Sequence, residues 1–168
     1  MSKRDLQKYL EELSKSQLQD QILDLYDRFK NVKVFYDFAF NPKEDKLLDD
    51  FKTRVGKEYF LIGNRKPKMR RSIAQKLIKH FISIEMDPVK IQDAMLFNIE
   101  TAQAYTQDRM IKQEAFYKSM LVSFQQAVHH AKYHGIFAEN SFRMNRILEL
   151  AEEQKWPNFP DFADSLSD

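Results

Sequence analysis

Cysteine is absent from all 168 residues, which excludes a disulfide framework and a thiolate metal site. Glycine occurs three times, at Gly56, Gly63 and Gly135, too few for a turn-rich all-β protein. No apolar run approaches the roughly 20 residues needed to span a bilayer. The opening MSKRDLQKYLEELSKS is charged from the start and lacks an apolar signal core, so the expectation is a soluble cytoplasmic chain with no membrane partner. Also missing are HExxH, Glu-x-x-His, GxSxG, GxxxxGK[ST] and GxGxxG patterns. Most importantly, no Asp or Glu occurs between Tyr59 and Ile84.

What is present is a chain that can bury a core. Hydrophobic residues make up 43% and aromatics 13%, a composition that does not suit disorder. Apolar residues recur at helical spacing almost throughout. Leu6, Leu10 and Leu13 form a first stripe; Leu18, Ile22, Leu25 and Phe29 form a second, with a break near Ser14–Ser16. In VKVFYDFAF (32–40) the apolar residues alternate as in a strand. A lone strand would leave its backbone groups unpaired, so a short buried helix is expected there.

Asn41, Pro42 and Glu44 read as a helix start, followed by Leu48, Phe51, Val55 and Tyr59 facing inward. Gly56 is expected to bend this helix or end it early. Ser72-x-x-Gln75 has capping-box spacing ahead of Ile73, Leu77, Phe81 and Ile84. Asp87-Pro88 opens a helix carrying Ile91, Met95, Asn98, Ala102 and Tyr105, apolar on most sides and therefore central. A long helix from near Asp108 ends at Gly135, and a last one from about Asn140 carries Met144, Ile147 and Ala151. The expected fold is all-α, a single-domain irregular bundle of about seven helices over residues 1–156. The proline-broken tail, 157–168, is expected to strap over the core or to dock in a partner's groove.

Four blocks, MSKRDLQKYLEELSKSQL, ILDLYDRFKNVKVFYDFAFNPKEDKLL, RRSIAQKLIKHF and MLFNIETAQAY, fall in an order that resembles a family of small bacterial cytoplasmic proteins catalogued only as a domain of unknown function. The resemblance implies an all-helical bacterial protein and supplies no activity or site residue.

Function must therefore be read from charge. Arg65, Lys66, Lys68, Arg70, Arg71, Lys76 and Lys79 put seven cations into the acid-free stretch of a chain whose formal charge is +2, leaving −5 for the remainder. Cations at a helix start oppose the helix dipole, and with the free N–H groups there they make an anion-binding site. One expectation is a non-enzymatic binding module that meets an anionic partner, either nucleic acid or an acidic protein segment, through these seven residues. The alternative is a structural or protein-interaction component, such as a homo-oligomer using Leu96, Phe97 or the tail, in which Glu44, Asp45, Asp49, Asp50, Asp93 and Glu100 answer the cations internally. His129, His130 and His134 are read as helix-end imidazoliums rather than metal ligands. Glu100 is read as the partner of a nearby Lys or Arg rather than a general base. No catalytic residue, metal or cofactor is assigned.

Overall fold

The 3.6-residue spacing is borne out: the computed structural model, which describes residues 2–60 and 67–167, holds nine α-helices and no strand among the described residues, where about seven were expected. The chain forms two compact units, residues 1–43 and 44–168.

The first unit contains α1 (Lys3–Glu11), α2 (Lys15–Arg28) and α3 (Lys30–Phe40). Ser2 with Asp5 and Ser14 with Gln17 form reciprocal capping boxes that start α1 and α2, satisfying N–H groups that a helix start leaves free. Gln21 Nε2–H donates to the Tyr9 hydroxyl at 2.8 Å, and the Tyr26 hydroxyl donates to Asp37 at 2.7 Å, tying α2 to its two neighbours. VKVFYDFAF is helical as expected, but it is not buried: none of α1–α3 contains a buried residue, and Phe40 is 84% exposed.

The second unit contains α4 (Glu44–Tyr59), α5 (Arg71–Ser83), α6 (Pro88–Thr106), α7 (Glu114–Tyr133), α8 (Phe137–Glu153) and α9 (Phe159–Ser167). Its organiser is α6, which packs against α4, α5, α7 and α8 and starts as expected, with Asp87 as N-cap and Pro88 in the first turn. Leu96, Ile99, Ala94 and Ala102 are wholly buried, so Leu96 is not available as partner surface. Phe97 is only partly buried, against Phe51 and beneath the Lys52 ammonium.

Several helix ends differ from expectation for local reasons. Asn41 closes α3 instead of opening α4. The Glu44 carboxylate accepts from the Asp87 N–H at 2.9 Å, serving the start of α6. The seventh helix begins at Glu114, later than Asp108, and the eighth at Phe137, earlier than Asn140. Gly135 does end α7: at φ +69°, its N–H bonds Lys132 O while the Ile136 N–H bonds Ala131 O, the paired bonds of a Schellman stop.

The tail is neither extended nor a free docking arm. It folds as α9, packed on α7 and α8, where Phe162 and Trp156 are buried against each other, against Phe124 and against Phe116. Truncating Phe162 to Ala removes a fully buried ring, so urea unfolding should report a loss of about 3–5 kcal/mol. Gly56, by contrast, sits inside an unbroken α4, and a Cβ added there would meet no atom within 4 Å. Gly56→Ala should therefore raise stability by about 0.5–1 kcal/mol in the same measurement.

Candidate anion-binding groove

The seven predicted cations do not form one cluster. Arg65 and Lys66 lie outside the described residues. Arg70 is held by a carboxylate that the sequence reading did not name, that of Glu58. Arg70 Nε–H and Nη2–H donate to its two oxygens at 2.9 and 2.6 Å, and the Arg70 backbone N–H donates as well, at 3.2 Å. Such a two-pronged pair is among the stronger charge-assisted contacts. It pulls the Glu58 carboxyl below its usual range, the Arg70 hydrogen bonds outweighing burial.

Arg70 is also the N-cap of α5, and it supplies no side-chain cap of its own. The anion that this all-cationic helix start requires is therefore Glu58 itself, delivered from the last turn of α4. Ser72 is the second helical residue and not the cap; its expected partner Gln75 instead donates to Ser119 Oγ of α7 at 3.3 Å. The Met69 N–H bonds Glu58 O at 2.9 Å, and Met69 has φ +49°, so this turn is pinned to α4 through backbone as well as side chain.

The carboxylates suspected of neutralising the basic stretch are mostly engaged elsewhere. Glu44 and Asp45 hold Lys90 at 3.1 and 2.8 Å, and Asp93 bridges Lys52 and Arg143 at 2.7 and 2.8 Å. Glu100 takes a two-pronged bond from Arg143 at 2.7 and 2.8 Å, matching its expected pairing with a cation.

Lys76 and Lys79 make no ion pair among the described residues. Both are exposed. The residues of α5 that enter the core are Ala74, Ile78, Phe81 and Ile84, while Ile73 and Leu77, expected inward, are only half-buried. This register turns Ser72, Gln75, Lys76, Lys79 and Ile82 toward a groove of about 930 Å³ between α5 and α7. Met95 of α6 also lines it, and Val122, Gln126, His129, His130 and Tyr133 form the α7 side. Among the described residues no Asp or Glu lines this groove.

His130 is the feature that sequence reasoning misjudged. It is 8% exposed, and its Nδ1–H donates to Gln92 Oε1 of α6 at 2.9 Å, while its Nε2 has no partner. Burial, aided by the neighbouring His134 and His129, pushes its pKa down to about 4, so at neutral pH it is an uncharged ring and not a helix-end imidazolium. The buried Tyr59 hydroxyl, without a partner among the described residues, is pushed up to about 12 by burial and stays protonated. Among the described residues there is no group of three His, Asp or Glu side chains placed to hold a metal. No helix among them is long and apolar enough to cross a membrane.

Glu58 was legible in principle. It falls between Phe51, Val55 and Tyr59 on the buried face of α4, and a carboxylate at a core position requires a cation. Because its pKa is lowered in the fold, the stability it contributes is present above the ordinary value of 4.5 and is lost as pH falls through the lowered value. Glu58→Gln should cost about 1–3 kcal/mol at neutral pH. The gap from wild type in urea unfolding should narrow under acid; a gap that stays constant would contradict the pairing.

Comparison with known proteins returns no matching curated protein and no matching solved structure. Residues 1–167 match the model described as a family of unknown function, DUF6155, and the chain belongs to that family.

Proposed function

We propose that this chain is a non-enzymatic binding module whose basic face on α5 contacts an anionic partner, and that it works in the cytoplasm. The observation that supports this reading is a groove with no Asp or Glu among its described lining residues, into which Lys76 and Lys79 project. Lys68, exposed, and Arg71, half-buried, extend the positive surface at the start of the helix. Arg70 is excluded from the contact set by its bond to Glu58. Arg65 and Lys66 stay within the proposal on charge alone.

A second reading draws on the first unit, where Leu6, Tyr9, Ile22, Leu25 and Phe29 are each more than 40% exposed on helices without a buried residue. Burying those faces favours self-association through α1–α3. Sedimentation across a range of concentrations separates the two, because only the second reading requires the mass to change.

The leading reading is tested with poly-L-glutamate and a single-stranded oligonucleotide as probes. Affinity for at least one of them should fall as salt rises. Reversing both Lys76 and Lys79 to Glu should weaken it about tenfold with helicity unchanged, two exposed pairs being worth roughly 0.2–1 kcal/mol each and their reversal adding repulsion. Salt-independent binding, or unfolding on charge reversal, would overturn the proposal.

A further inference from the structure

The groove holds more chemistry than its two lysines. Its length is set by α5, whose 13 residues run about 20 Å, enough for roughly four turns of helix laid alongside. Ile78, Ile82, Met95 and Val122 contribute apolar surface, and Ile82 and Val122 are 48% and 46% exposed. These are side chains that the fold has left uncovered between two helices. Lys76, Lys79 and the neutral amides of Gln125 and Gln126 accompany them. Such a groove, apolar with a cationic edge, matches an occupant that is apolar on one face and acidic beside it.

Nucleic acid fits this poorly. Duplex DNA presents one phosphate per 1.7 Å or so of its axis, which two lysines beside an apolar strip do not answer. Single strands need exposed aromatic platforms for their bases, and among the described residues the groove offers only Tyr133, with His129 and His130 nearby. An extended peptide fits poorly too. The walls are helices, so they offer no open strand edge, and an extended backbone laid on Ile82 and Val122 would leave its N–H and C=O groups unpaired. A helical segment satisfies its own backbone and offers side chains at i, i+3, i+4 and i+7 to such a groove.

We infer that the groove between α5 and α7 binds an amphipathic helical segment of a protein partner, with its apolar stripe on Ile82, Val122 and Met95 and its flanking carboxylates on Lys76 and Lys79. This rests on the anion-binding reading above and names the class of partner. His130, 8% exposed, lines the α7 side beside the apolar surface, so an occupant of the groove lies next to its ring.

The test is selection of a display library of random 18-residue peptides against the intact protein, with the recovered sequences measured by fluorescence polarisation. Recovered peptides should share apolar residues at helical spacing with an excess of Asp and Glu, and should gain helicity on binding. Ile82→Glu with Val122→Glu, substitutions at half-exposed positions, and separately Lys76→Glu with Lys79→Glu, should each weaken them at least tenfold while the circular dichroism of the protein is unchanged.

The His130 imidazole nitrogen resonances should shift when such a peptide is added. Peptides without helical spacing, or ones indifferent to Ile82→Glu with Val122→Glu, would overturn the inference. If poly-L-glutamate or the oligonucleotide still bound through Lys76 and Lys79, the anion-binding reading would survive that failure. If no peptide were recovered and neither polyanion bound, both would fall.

Discussion

Eleven of the nineteen residues of α6 are buried, so this helix cannot turn any broad face to water, and every neighbour in residues 44–168 is arranged by the need to cover it. Apolar area removed from solvent contributes roughly 25 cal/mol per Å², and the wholly buried Leu96, Ile99, Ala94 and Ala102 place that gain on several sides of one cylinder. Both α5 and α7 pack on α6, yet the space between them is not filled, and that space is the groove. The same burial dictates the polar contacts of α6. Gln103 Nε2–H reaches Ile147 O at 2.7 Å, and Gln92 accepts from His130 at 2.9 Å, because a buried amide without a partner costs about 1–3 kcal/mol. Asn98 Oδ1 and Gln92 Nε2 have no partner among the described residues.

Charge is divided by the same packing. Glu58 lies on the core side of α4, where it meets Arg70 at the start of α5. That bond answers the helix dipole, fixes the turn at Met69 and neutralises one surface cation. Beyond the first turn, α5 presents Ala74, Ile78 and Phe81 to the core, and its lysines fall on the flank facing α7. The acid-free stretch thus has a structural part at the start of α5, at Arg70, and a solvated part along the helix. Only the solvated part carries the proposed function.

Periodicity made the helices legible, including the difficult one. VKVFYDFAF alternates like a strand, but the absence of a second strand excluded that reading, and α3 is helical. Its burial was not legible, because apolar content does not say whether a helix has anything to pack against. Pro160 suggested that the tail would not continue as helix, yet proline is tolerated in a first turn, and α9 begins one residue before it. Of the candidate site, Ser72, Gln75, Lys76 and Lys79 share one flank of α5, as steps of about 100° per residue along a helix dictate. The Glu58–Arg70 pair joins residues twelve apart in sequence, so only the register of α4 hinted at it. His130 was misread because its position near a helix end was weighed, while its burial against Gln92 of another helix was not visible in its own neighbourhood.

The central claim is that Lys76 and Lys79 have no carboxylate partner among the described residues, whereas Lys52 and Lys90 do. Lysine ammonium groups held in ion pairs exchange their protons with water more slowly than solvated ones, so amine-selective nitrogen–proton correlation spectra of the free protein test the claim directly. The account predicts slow-exchanging ammonium signals from Lys52 and Lys90 and none from Lys76 or Lys79. Protected signals from Lys76 and Lys79 in the absence of any added anion would contradict it.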